Sequence, residues 1–374
     1  MRFSLILSLT GTLIAFFGLS FLFPIVTGLI LGEDILDISY MFVIPMFFCL
    51  IFGYIFSSYF HIEEDIRNRE AFALVSIAWI IMVLVGAFPY YAAENGELMS
   101  YQIGIAGAIF ESMSGLTTTG ATILEITDEN QVINNEQYSE GYFDAPKSLL
   151  LWRSQTQWLG GMGIIVLATI IFSRLFGGGI QVLQAEMPGT GITRLKPQMA
   201  QTARLLWTLY FFLTLIEIVL LYFAGLPLYD SICNSFSTVS TGGFSPKIDS
   251  IGSYDSSYVD VIVTFFMLIS GVNFVILYYI FNHIKDNSKS IQSRIRNIYI
   301  LVRDNEELKV YLFLIVSCSS LILLNLVLEF NENRSFNSNF SHTIFQTVSL
   351  LTGTGFTTTN YALWPKMSIF VLLF

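Results

Sequence analysis

Three short strings of glycine and hydroxyl residues recur along the sequence, and their residue types suit the binding of a dehydrated monovalent cation. The strings are Thr117-Thr118-Thr119-Gly120, Ser240-Thr241-Gly242-Gly243 and Thr352-Gly353-Thr354-Gly355. A ring of backbone carbonyls can replace the hydration shell of such an ion, as in potassium-selective pores. Aiming several carbonyls at one axis requires conformations that glycine adopts readily, while the hydroxyls can ligate the ion or tie the string to its support. Since no string contains a carboxylate, carbonyls are favoured over a ring of charged side chains as the selecting groups.

Each string follows a short apolar segment of one recurring pattern. When the last glycines of the strings are aligned, the segments match without a gap: a polar residue, a hydroxyl, an apolar residue and a serine. The polar residues are Glu111, Asn234 and Gln346. Repetition at this scale indicates repeated structural units. Strings of small residues also occur where membrane helices pack closely. The recurrence of three aligned copies favours an ion-selective filter over helix packing. Glu111 could coordinate the ion or could support the string through hydrogen bonds. Because the matched positions hold amides, the supporting role is favoured.

The elements that must carry these strings are membrane helices. The chain of 374 residues is 54% hydrophobic and only 12% charged, against about 25% charged in soluble domains. Apolar runs long enough to cross a bilayer lie at about Phe3–Leu31, Ile38–Phe60, Phe72–Ala92, Ser148–Phe172, Leu205–Ala224, Tyr258–Phe281 and Val310–Phe330, and another begins near Trp364. The first run is too long for the apolar core of a signal peptide, so we expect a retained transmembrane helix.

Three further segments are too apolar for plain loops and too short to cross. They are Tyr101–Leu116, Leu228–Val239 and Asn339–Leu351. Basic residues concentrate in loops that alternate along the chain with acidic loops, which predicts a cytoplasmic N-terminus and places these segments on the outer side. The predicted fold is therefore an all-α polytopic membrane protein, in which each short segment enters the membrane as a half-helix and returns as a string.

Other chemistries find little support in the sequence. The three cysteines and three histidines are scattered, and neither a disulfide scaffold nor a metal site is indicated. The glycine run 177–179 lacks the lysine of a phosphate loop. Glu217 is the one acid deep within a predicted span, and packing against a polar neighbour is favoured over a functional role. We therefore predict no enzymatic activity and no cofactor, with potassium as substrate only.

The sequence resembles the TrkH/KtrB superfamily of potassium transporters, and its TrkH branch more closely because two helices precede the first repeat. Besides the strings, the likeness rests on the run from Trp152 to Gly163 and on Gln184-Ala185-Glu186-Met187-Pro188-Gly189. It implies potassium uptake across the cell membrane through a pseudo-fourfold pore, with potassium bound at Thr117–Gly120, Ser240–Gly243 and Thr352–Gly355. It also implies a homodimer and a cytosolic ring of nucleotide-binding regulatory subunits; nucleic acid is not an expected partner.

The resemblance divides the chain into 1–66 (two extra helices), 67–180, 181–290 and 291–374 (pore repeats, the last incomplete). The superfamily has four repeats, so we expect a longer gene product that supplies the fourth repeat, the gating loop and a basic residue near the pore. An alternative is a secondary transporter that binds a small solute at discontinuous helices. Such folds usually contain inverted repeats, whereas these repeats share one topology.

Overall fold

The chain is built almost entirely of α-helices in a computed structural model that describes residues 3–59, 68–99, 101–124, 141–163, 195–274, 276, 277, 280, 291–329 and 336–373. Helices are the expected solution in lipid, because each backbone N–H and C=O must find its partner within the segment. The N-terminal helices are α1 Phe3–Ser20, α2 Leu22–Leu31, α3 Ile35–Ile38, α4 Ile44–Tyr59 and α5 Asn68–Asn95.

The remaining helices follow along the chain. They are α6 Gly104–Leu116, α7 at 147–163, α8 Leu195–Phe223, α9 Leu228–Val239, α10 Ser257–Ser270, α11 Ile291–Asp304, α12 Glu306–Glu329, α13 Phe336–Leu351 and α14 Lys366–Leu373. A π-helical turn at Ser39–Val43 and short 3-10 turns at Ser250–Tyr254 and Tyr361–Leu363 are also present.

Five spans among the described residues are long and apolar enough to cross a membrane. They are Phe3–Leu31, Ile35–Ser58, Phe72–Asn95, Arg204–Phe223 and Glu306–Glu329. Each coincides with a predicted span, which confirms those five predictions. The distal part of the predicted Ser148–Phe172 span, the glycine run 177–179 and the Gln184–Gly189 motif lie outside the described residues.

One predicted span is interrupted. The sequence predicts a continuous helix over Tyr258–Phe281, but α10 ends at Ser270 and a turn follows. Gly271, the first residue beyond α10, makes a close approach, since a Cβ atom there would lie 2.7 Å from the Thr352 side chain and 2.8 Å from the Tyr311 hydroxyl. The end of α10 therefore lies against the start of the third string.

The first compact unit comprises residues 1–157 and 246–248. Its core is aromatic: the rings of Phe21 and Trp152 stack at 4.3 Å between centroids. Helices α1 and α4 approach closely through small residues, since a Cβ atom at Gly53 would lie 2.7 Å from the carbonyl oxygen of Gly11. Such close contact compensates for the absence of a hydrophobic driving force between helices in lipid.

The second compact unit comprises residues 158–245 and 249–374. Its main core joins α8, α10, α12 and α13 through buried apolar side chains. These include Leu221, Val263, Met267, Ile315, Phe345 and Val348. This core holds the short helix α13 in place, and the third string begins where α13 ends.

Candidate cation-binding site

The three short helices are present as predicted, and each ends directly before its string. Predicted segment Leu228–Val239 coincides with α9, while Tyr101–Leu116 and Asn339–Leu351 correspond to α6 and α13 within a few residues at their starts. The first hydroxyl of every string donates back to the carbonyl four residues earlier. The distances are 2.7 Å for Thr117 to Met113, 2.8 Å for Ser240 to Phe236 and 2.9 Å for Thr352 to Val348.

All three strings have the same unusual backbone. The second residue has a positive φ in each: 54° at Thr118, 53° at Thr241 and 76° at Gly353. The fourth residue does so again: φ is 74° at Gly120, 79° at Gly243 and 83° at Gly355. Glycine at the fourth position is predictable from the sequence, because glycine adopts a positive φ readily. The positive φ at the second position is not, because two strings have threonine there, for which the left-handed conformation costs about 1–2 kcal/mol.

The hydroxyls of the strings are engaged within the protein. Thr117 and Thr119 share a hydrogen bond of 2.8 Å, and Thr352 and Thr354 share one of the same length. In the second string the Thr241 hydroxyl donates to the carbonyl of Ser240. These contacts describe hydroxyls that hold the string to the protein, which is one of the two roles predicted for them; the other is ligation of the ion.

Backbone carbonyls of two strings remain available. Among the described residues, none donates a hydrogen bond to the carbonyl oxygens of 118–120 or 353–355. An unpaired carbonyl at membrane depth is costly unless water or an ion takes the place of the missing donor. Within each of these two strings, the carbonyls are thus chemically suited to replace part of the hydration shell of a cation.

A serine anchors the backbone just beyond two of the strings. Ser114 donates to the carbonyl of Ala121 at 2.6 Å, and Ser349 donates to that of Phe356 at 2.7 Å. Ser237 holds the matched position in the second repeat, yet its buried hydroxyl has no partner among the described residues. The recurring serine therefore supports the first and third strings in the same way.

Glu111 supports the first string through a buried ion pair with Arg153. The Arg153 Nε lies 2.9 Å from Glu111 Oε1, and both side chains are at most 1% exposed. Thr122 and the backbone N–H of Ile123 donate to the same carboxylate, at 2.8 Å and 3.2 Å. Oε1 is thus occupied by Arg153 and the Thr122 hydroxyl and Oε2 by the Ile123 backbone, so Glu111 has the arrangement of a support. Arg153 was not singled out from the sequence, although it lies in the Trp152–Gly163 motif.

Of the matched amides, Gln346 contacts the backbone just beyond its string, whereas Asn234 contacts a side chain of the 3-10 turn. Asn234 donates to the hydroxyl of Tyr254 at 2.9 Å, and Gln346 donates to the carbonyl of Phe356 at 3.5 Å. All three polar residues are fully buried. The repeats thus share one supporting position but fill it with different chemistry.

The second and third strings lie together in the second unit, and the first string belongs to the first unit. A Cβ atom at Gly243 would overlap the carbonyl oxygen of Thr354, so only glycine permits this approach. At Gly353 and Gly355 a Cβ atom would meet nothing within 4 Å. The exit of the third string is fixed by Thr357, whose N–H donates to the Ser250 hydroxyl at 3.2 Å.

Aromatic side chains enclose the start of the second string. The ring of Trp158 stacks on Phe236 at 5.2 Å, and its backbone carbonyl accepts from the Tyr210 hydroxyl at 3.0 Å. A Cβ atom at Gly161 would lie 3.0 Å from the Cβ of Ser240. The second part of α7 therefore packs directly against this string.

Sites for a structural metal are not evident in the described part of the chain. No group of three or more His, Cys, Asp or Glu side chains there is arranged to hold a metal ion. The strings, with their carbonyl oxygens, are the candidate site for a monovalent cation.

Comparisons with known proteins agree with this architecture. The family described as "TrkH: Cation transport protein" matches residues 38–374. The Trk system potassium uptake protein TrkH of Salmonella typhimurium is 36% identical over 313 residues, covering 83% of this chain and 58% of the relative. The TrkH of Vibrio parahaemolyticus is 33% identical over 377 residues, covering 100% of this chain and 70% of the relative.

A solved structure gives the same result. The crystal structure of the potassium transporter TrkH from Vibrio parahaemolyticus matches with a TM-score of 0.79 at 30% identity, covering 100% of this chain and 69% of that chain. The chain spans 58% of the length of the Salmonella relative and 70% of the Vibrio relative. By family, by sequence and by fold, this chain belongs to the TrkH family of cation transport proteins.

Proposed function

We propose that this chain takes part in potassium uptake across the cell membrane, with the three strings acting as its selectivity filter. The observation that carries the proposal is the repeated backbone geometry: positive φ at the second and fourth residue of each string. The first positive φ ends the preceding helix, and the second keeps the string out of regular structure, so that its carbonyls stay outside a backbone ladder and can face an ion. The unpaired carbonyls at 118–120 and 353–355 are the proposed potassium ligands, together with those of 240–243.

The short helices add an electrostatic contribution to the proposed site. Helices α6, α9 and α13 each end immediately before a string, so the C-terminal end of each dipole is directed toward it. That end carries the equivalent of about −0.5 elementary charge. A cation at the strings would therefore be stabilised without a carboxylate.

Support for the site comes from contacts that keep the carbonyls in place without an ion. The serine contacts at 114 and 349 and the Glu111–Arg153 pair hold the backbone beyond two strings. Such fixed supports let carbonyls discriminate by number and spacing. The pseudo-fourfold pore, the homodimer and the cytosolic nucleotide-binding regulatory subunits remain proposals that rest on the resemblance to the superfamily. The cytoplasmic N-terminus rests on the distribution of loop charge.

Cation flux into liposomes tests the proposed function. The full-length protein is reconstituted with a fluorescent readout, and potassium entry is compared with sodium entry. The proposal expects a preference for potassium that is lost or reduced in Gly243→Ser, because the larger side chain would displace the Thr354 carbonyl. Flux that is indifferent both to the ion and to this substitution would contradict a filter.

A further inference from the structure

The buried face of α8 contains an acid that the proposed filter does not use. Buried residues follow the helical repeat along this face: Leu206, Tyr210, Thr214, Glu217 and Leu221. Glu217 is 0% exposed and lies within the Arg204–Phe223 span. An ionisable side chain at such a position is costly to keep and is a candidate for a specific role.

The other polar side chains of this face are satisfied. Thr214 donates to the Tyr210 carbonyl at 2.9 Å and accepts from the Trp158 ring N–H at 3.1 Å. Tyr210 donates to the Trp158 carbonyl. Glu217 is different, because neither of its carboxyl oxygens has a well-formed hydrogen bond to the described residues. An ionised carboxylate left in that state would carry a large desolvation penalty.

The Thr238 hydroxyl, in the last turn of α9, lies beside the Glu217 carboxyl group. That hydroxyl already donates its hydrogen to the Asn234 carbonyl, at 2.7 Å. Since a hydroxyl has only one hydrogen, Thr238 Oγ1 can serve Glu217 only as an acceptor. A carboxylate has no hydrogen to donate, whereas a neutral carboxylic acid has one.

Within the described residues, the helices that pack against α8 offer Glu217 no positively charged partner. Helices α9 and α10, which pack against α8, contain no basic residue, and their acids Asp230 and Asp260 lie in their first turns. Asp230 precedes Thr238 by two helical turns, about 12 Å along the axis. In α8 the basic residues, Lys196 and Arg204, lie in the first half of the helix, roughly 20 Å or more before Glu217.

Thr238 controls the turn into the second string. Its carbonyl accepts from the Thr241 N–H at 2.9 Å, and Thr241 is the first left-handed residue of that string, with φ of 53°. We propose that Glu217 is a proton-bearing positioning residue: as a neutral acid it donates to Thr238 Oγ1 and so fixes the turn that starts the second string. The positioning role rests on the proposed function of the strings, whereas the proton on Glu217 does not.

Infrared spectroscopy of the full-length protein tests the proton directly. A protonated carboxylic acid has a carbonyl stretch well separated from that of a carboxylate. We expect such a band in the wild-type protein, its loss in Glu217→Gln, and its retention in Glu306→Gln, which removes an exposed acid at the start of α12. A band that Glu217→Gln leaves unchanged would overturn the proposal, because Glu217 would then be ionised.

Flux measurements test the positioning role. Glutamine keeps a neutral donor at this position, so Glu217→Gln should retain the wild-type preference for potassium over sodium. Glu217→Leu removes the donor at similar volume, and we expect the preference to fall about fivefold, the equivalent of one hydrogen bond. Equal loss in both variants would overturn the positioning role. If the wild-type protein itself shows no potassium preference, the proposed function fails, while the infrared result still decides whether Glu217 carries a proton.

Discussion

Replacement of Gly243 by alanine tests how tightly the second and third strings are packed together. Gly243 and Gly355 hold the matched position with φ of 79° and 83°, and alanine in this left-handed region costs about 1–2 kcal/mol at either. At Gly243 the new Cβ atom would also overlap the Thr354 carbonyl oxygen, whereas at Gly355 it would enter open space. Because the overlap is with backbone, the third string must shift, and overpacking of this kind adds about 1–3 kcal/mol.

The expected loss in free energy of unfolding is therefore about 2–5 kcal/mol for Gly243→Ala and about 1–2 kcal/mol for Gly355→Ala. Thermal denaturation of the purified protein in detergent measures the difference between the two variants. Gly243→Ala should in addition lower the potassium preference in liposomes, since it displaces the Thr354 carbonyl. Equal destabilisation by the two substitutions would refute the close approach of the two strings and, with it, the steric reason for glycine at 243.

Three further substitutions probe the supports of the strings and the helix packing. Arg153→Met leaves the buried Glu111 carboxylate without its cation and should cost about 3–5 kcal/mol in the free energy of unfolding; a stable variant in denaturation assays would argue against a buried ion pair. Ser349→Ala removes the 2.7 Å bond to the carbonyl beyond the third string and should cost about 1–3 kcal/mol, whereas Ser237→Ala, at the matched position without a partner, should be nearly neutral. Gly53→Leu inserts a large side chain where even a Cβ atom would lie 2.7 Å from the backbone of the opposite helix, so the yield of folded protein should fall sharply. A normal yield would contradict the close α1–α4 contact.

The membrane helices could be predicted from the sequence because their signal is strong and local. Long apolar runs must become helices in lipid, and five predicted spans are present in the described residues. The interruption of α10 could not be predicted in this way. Gly271, where α10 ends, packs closely against Thr352 and Tyr311, which are distant in the sequence, so the local apolar pattern carries no sign of this contact.

The candidate site was predicted in outline, because residue types recur in register around the last glycine of each string. The residues that support the strings could be predicted only in part. The alignment identified Glu111, Asn234 and Gln346, but Arg153 lies in a different helix and outside the aligned segments, so the repeat does not indicate it. The left-handed threonines, Thr118 and Thr241, were also missed, since threonine disfavours that conformation and gives no indication of it in the sequence. The one indication of a positive φ at this position is Gly353, which holds the matched place in the third string.

Anomalous scattering from crystals of the full-length protein grown with rubidium tests whether the string carbonyls bind a dehydrated potassium ion. Rubidium is a close mimic of potassium and scatters anomalously. We expect anomalous peaks within coordination distance of the carbonyl oxygens of 118–120, 240–243 and 353–355, with the threonine hydroxyls still paired to one another. Peaks elsewhere, or strings that bind no ion while the protein transports potassium, would contradict it.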